Sequence, residues 1–136
     1  MTPATAFALA TCAHLGFQLS VTALVYPALA RVGPEGWPIA HVRHSRSITP
    51  LVVATYAALV VTGGAVLLDR PSPASALGLV AAAATIAVTA LWAAPTHGRL
   101  TRAEPDLLRR LLLADRVRAA LAVVAAVAAV GGVPAG

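Results

Sequence analysis

Four apolar stretches, at about 4–30, 49–68, 75–94 and 111–130, constrain this chain more than any other feature, because with their short connections they use up nearly all of its 136 residues. Roughly 20 apolar residues in helical form cross a bilayer, so each stretch is long enough to span. No length remains for a soluble domain. The reading is an all-α, four-transmembrane-helix bundle forming a single membrane domain over residues 1–136. Composition agrees, with 59% hydrophobic and only 11% charged residues.

Charge sets the orientation. The formal net charge is +5, yet every basic residue is Arg and most flank the apolar stretches. No basic face interleaved with aromatics exists to bind nucleic acid, so that partner is excluded and the lipid bilayer takes its place. Four spans put both termini on one side. Arg31, Arg43, Arg46, Arg99, Arg102, Arg109, Arg110, Arg116 and Arg118 then fall on the other side, leaving only Arg70 opposite. By the positive-inside tendency the Arg-rich loops are cytoplasmic and both termini lie outside, as in a multi-pass protein of the cell membrane. Ala28-Leu29-Ala30 has the look of a signal-peptide cleavage site. No positive charge precedes the apolar run, and His14 and Gln18 interrupt it, so a retained first helix is expected. Cys12 is the one cysteine and reads as an inert buried thiol.

Punctuation marks the ends. Arg31-Val32-Gly33-Pro34 stops the first helix, and Pro38 starts a short helix through His41 and His44 toward Pro50. Asp69-Arg70-Pro71 closes the second span, and Pro95 breaks the third. The fourth helix starts near Pro105, its leading turns lying in the headgroup layer. Small residues such as Ala81 to Ala84 and Gly63-Gly64 let helices approach closely, which predicts a tight bundle.

Polar side chains inside apolar stretches are the informative ones, since a charge there costs a few kcal/mol. His14 and Gln18 share a face of the first helix, with Thr11 close by and Tyr26 about three turns on. His41 and His44 share a face before the second span, with Thr55 and Thr62 further in. Thr85, Thr89, Trp92 and Thr96 form a stripe leading down the third helix to His97. Asp115 and Arg118 lie together inside the fourth apolar run, where a salt bridge is expected, while Arg116 snorkels to the headgroups. The bundle can bring Tyr26, His41, His44, His97, Asp115 and Arg118 together near the cytoplasmic side. His14, Gln18, Tyr26, Trp92 and Thr96 would line a pocket for an apolar ring or quinone-like small molecule entering from the membrane. There an imidazole moves a proton and Arg stabilises an oxyanion.

Pro95-Thr96-His97-Gly98-Arg99-Leu100, followed by Leu107 to Arg118 and an Ala/Val/Leu tail, resembles the anthrone oxygenase family of small four-helix membrane proteins, with a vaguer likeness at Tyr26-Pro27. That family shows Pro-x-Asn-x-x-Leu after its third helix; here His97 stands at the Asn position, and Pro95 and Leu100 fit. Where its fourth helix has Trp, then His or Asn, then Arg, this chain has Leu111, Asp115 and Arg118. The resemblance implies oxygenation of a polycyclic phenolic anthrone to a quinone without a prosthetic group. His97, His41 or His44 would then be the base and Arg118 the oxyanion holder. Two other readings stay open: a metal or haem held by His41, His44 and His97, and a non-enzymatic small transporter or assembly partner, which would need to form a homo-oligomer.

Overall fold

The computed structural model describes residues 1–102 and 104–134. Among them there is no strand, and four helices succeed one another: α1 (Pro3–Ala30), α2 (Trp37–Leu68), α3 (Pro73–Arg99) and α4 (Pro105–Gly131). The first three are long and apolar enough to cross a membrane. α4 has 27 residues, but Asp115, Arg116 and Arg118 interrupt its apolar run.

Each helix has a proline as its first or, in α2, its second residue, where no intrahelical acceptor exists for its missing N–H. The hydroxyls of Thr2 and Ser72 accept from the backbone N–H of Thr5 and Ser75, each at 3.1 Å, and so fix the starts of α1 and α3. Between α2 and α3 the chain turns at Arg70, whose φ of 57° is the left-handed conformation demanded by so short a link.

Two of the expected breaks do not occur. The short histidine-bearing helix and the second span are one continuous α2 that runs through Pro50. The Ser45 and Thr49 hydroxyls donate to carbonyls one turn back, at 2.8 and 2.7 Å, and supply the neighbouring backbone with bonds beside the missing one. Likewise α3 is not broken by Pro95 but continues to Arg99. The missing N–H is absorbed upstream by a π-helical turn at Thr89–Ala93. α1 does the same before Pro27, with a π turn at Val21–Val25. The two wide turns thus occupy the same position in each helical hairpin, just ahead of a proline.

α1 packs on α2 and α4, and α3 packs chiefly on α4, while α2 and α3 approach each other little. A seam therefore opens between α2 and α3. Two apolar clusters hold the bundle. One, around Phe7, Leu59, Val66, Ala81, Ala125 and Ala129, lies toward the termini. The other, around Val21, Tyr26, Leu29, Trp37, Leu100 and Leu111, lies toward the Arg-rich loops. The perimeter is studded with exposed Leu and Val, including Leu24, Val61, Val80, Leu91 and Val127. Cys12, expected to be buried, is exposed on α1.

Candidate functional site

A charged side chain within a helical bundle is stable only if its neighbours satisfy it. Asp115 and Arg118, one turn apart on α4, are 2% and 7% exposed, and Arg118 Nη2 donates to Asp115 Oδ1 at 2.8 Å. From α1, Gln18 Nε2 donates to the same carboxylate oxygen at 2.7 Å. From α3, Thr89 Oγ1 lies 3.4 Å from Arg118 Nη1 and 2.6 Å from the Tyr56 hydroxyl of α2. Since Thr89 donates its own proton to the Thr85 carbonyl at 3.0 Å, it is Tyr56 that donates to Thr89. All four helices thus contribute to one polar layer, which carries the guanidinium inward. Arg118 Nε is buried and has no partner.

Beside this layer, at the seam, is a cavity of about 240 Å³. Its walls are mostly apolar, from Phe17, Val21, Ile48, Val52, Ala93 and Ala94, and its polar lining is Tyr26, His44, Thr49, Thr89, His97 and Arg118. Both π turns border it, through Val21 on α1 and through Thr89 and Ala93 on α3. A turn with i→i+5 bonds widens the helix and re-aims the side chains that follow, which is why such turns gather at functional sites.

The histidines assemble at the loop end of the cavity. The His97 ring centroid is 4.3 Å from that of His41 and 5.7 Å from that of His44, and His44 lies 6.3 Å from the Tyr26 ring. His41 is stacked on Trp37 at 5.6 Å and 18°, and the Trp37 indole N–H donates to the Leu100 carbonyl at 3.2 Å, fastening α2 to the end of α3. Ser45 Oγ lies 3.0 Å from His97 Nε2. His41 Nε2 and His97 Nδ1 are buried without partners. Although the three imidazoles gather, among the described residues no group of three or more His, Cys, Asp or Glu is arranged to hold a metal ion.

Of the side chains singled out in the sequence, Tyr26, His44, His97 and Arg118 line the cavity, and Asp115 and Gln18 stand behind Arg118. His41 touches His97 but not the cavity. His14 sits deeper, fully buried, its ring 5.5 Å from Tyr56 and both its nitrogens without partners. Trp92 and Thr96 do not line the cavity: Thr96 is buried elsewhere, and Trp92 packs against the apolar cluster at the loop end. A stripe drawn at uniform helical spacing passes through both, but the π turn at Thr89–Ala93 rotates the face, so Ala93, Ala94 and His97 follow Thr89 instead. Thr55 and Thr62 donate to their own helix at 2.6 Å each and take no part. Ser45 and Tyr56 are the partners that sequence reading missed. Ser45 follows His41 by one helical turn, and Tyr56 is a hydroxyl amid an apolar run, so position gave a signal for each.

The structure thus defines an all-helical protein with three helices suited to a bilayer and a basic, imidazole-bearing corner in an apolar cavity. No protein-family model, no curated protein and no solved structure matches the chain.

Proposed function

We propose that the chain is a four-span membrane oxidoreductase of oxygenase type acting on an apolar aromatic or quinol-type substrate. The observation that carries this reading is a guanidinium, braced by Asp115, which Gln18 in turn holds, sharing a mostly apolar cavity with two imidazoles, a tyrosine and two threonines. Exposed Leu and Val around the perimeter support insertion of all four helices, because ion-paired Asp115 and Arg118 face inward and Arg116 is free to snorkel. The asymmetry of the arginines supports cytoplasmic loops and outer termini. Fusing a reporter to each terminus in turn tests that orientation, and a cytoplasmic signal from either end refutes it.

In this reading the substrate enters through the α2–α3 seam, its ring against the apolar walls and one oxygen at Arg118. His44 or His97 removes a proton, and Arg118 stabilises the resulting phenolate or enolate. An electron-rich anion of this kind reduces dioxygen directly. For a ring CH₂ becoming C=O, one oxygen atom goes to carbon and the other leaves as water, so no further reductant is required. The resemblance to anthrone oxygenases points to the same chemistry.

The test is dioxygen uptake and quinone formation by the purified protein in lipid nanodiscs supplied with an anthrone or a quinol. Turnover abolished by Arg118→Leu supports the reading. Turnover untouched by Arg118→Leu, or no turnover with any such substrate, overturns it. In the second case a chromophore or stoichiometric metal in the purified protein points to the imidazole-ligated alternative, and a stable homo-oligomer without either points to a transporter or assembly partner.

A further inference from the structure

The Ser45 hydroxyl has one proton, and two acceptors compete for it. Ser45 Oγ lies 2.8 Å from the His41 carbonyl, with the geometry of a donor, and 3.0 Å from His97 Nε2. If the proton goes to the carbonyl, Ser45 can only accept from His97, whose neutral ring must then carry its hydrogen on Nε2. His97 Nδ1 is left with a bare lone pair, and that atom is buried and unpartnered. In the opposite arrangement Ser45 donates to Nε2, and His97 carries an orphaned Nδ1–H. In the first arrangement both short contacts of Ser45 are hydrogen bonds, whereas in the second the 2.8 Å contact sets the hydroxyl and carbonyl oxygens against each other with no proton between them. The first arrangement therefore prevails.

We infer that Ser45 is a positioning residue that holds His97 in the Nε2–H tautomer, which leaves Nδ1 as the one ring atom able to take up a proton. The role as proton acceptor rests on the function proposed above; the tautomer does not. Of the three imidazoles, His97 alone both lines the cavity and is hydrogen-bonded to a side chain at one nitrogen. His41 faces Trp37 instead, and His44 lines the cavity without such a tether. The tether is helical in origin: Ser45 is one turn beyond His41, so its hydroxyl reaches back to that carbonyl while its other side meets the end of α3.

The experiment is nitrogen NMR on histidine-labelled protein in nanodiscs at alkaline pH, with His97 assigned by its loss in His97→Gln. The expected spectrum has a protonated Nε2 and an unprotonated Nδ1 at His97. Ser45→Ala should convert this signal into a tautomer mixture, and Ser45→Thr should restore it. A wild-type His97 protonated at Nδ1, or a Ser45→Ala spectrum identical to wild type, overturns the inference. Where substrate turnover is found, Ser45→Ala should lower it about tenfold, with recovery in Ser45→Thr; a Ser45→Ala enzyme at full rate overturns the role in proton transfer. The tautomer is read without substrate, so its failure is distinct from failure of the oxygenase reading.

Discussion

Near the chain termini the core is apolar and rich in small residues; near the Arg-rich loops the apolar core is joined by aromatic rings, hydroxyls and charges around the cavity that holds Arg118. At the first end the Cβ that Gly78 lacks would meet the Ala129 nitrogen at 3.1 Å, the Ala125 carbonyl at 3.2 Å and Phe7 at 3.3 Å. α3 and α4 are thus in backbone contact there, the close approach that small residues permit and that gives bilayer helices their dispersion attraction. At the other end both α1 and α3 loosen into π turns, Trp37 ties α2 to Leu100, and an ion pair replaces apolar contact. The contrast teaches a division of labour: one half secures the bundle, which lets the other half keep polar groups short of partners.

If that division holds, the largest effect should come from unbalancing the ion pair. Asp115→Leu leaves Arg118 buried without its counter-charge and should cost about 3–5 kcal/mol, read as a lower unfolding midpoint in denaturant. Under the proposed oxygenase reading, Arg118→Leu should in addition lower turnover by about 10²–10³-fold, the loss typical of deleting one oxyanion donor. The double variant Asp115→Leu, Arg118→Leu should recover most of the stability and none of the turnover. A double variant as unstable as the single ones would mean that the pair is a clamp for the whole bundle and that the two halves are not separate.

Much of this architecture was legible in the sequence, and the limits were physical. Apolar runs of bilayer length announce helices because a helix is the one structure that satisfies its backbone within a single segment. Proline was misread at Pro50 and Pro95 because its penalty is local, whereas the compensation comes from neighbours: hydroxyls on α2, a π turn on α3. Asp115 and Arg118 stood out because a charge in an apolar run is costly, and structure places them inward, together. The stripe through Trp92 and Thr96 failed for the reason that Pro95 did, since a widened turn changes the angle per residue. Ser45 escaped notice because a short hydroxyl on a helix usually serves its own backbone, and Tyr56 because a ring in an apolar run reads as core; only packing between helices gives each its partner on α3.

A smaller effect is expected from overfilling the half toward the termini. Gly78→Val would press two methyl groups against the α4 backbone and Phe7, costing about 1–3 kcal/mol in unfolding experiments. The cavity lies at the other end, so substrate turnover per folded molecule should stay within about twofold of wild type, because well-separated sites act nearly independently. A Gly78→Val protein that folds well and turns over poorly would show that the α3–α4 contact sets the geometry of Arg118 through the length of the bundle.

The smallest effect, and the sharpest on where the two halves meet, concerns His14, one turn before Gln18 on α1. Gln18 donates to Asp115, so Gln18→Leu leaves that carboxylate short of a hydrogen bond and should cost about 1–3 kcal/mol. His14 is as deeply buried, yet both its ring nitrogens lack partners, and its ring packs against Tyr56. His14→Phe keeps an aromatic ring of similar size and removes two polar atoms that gain nothing from burial. It should therefore leave stability unchanged or raise it by up to about 1 kcal/mol. Should His14→Phe instead destabilise as much as Gln18→Leu, His14 must be bonded through ordered water, and the polar layer would extend one turn further toward the termini.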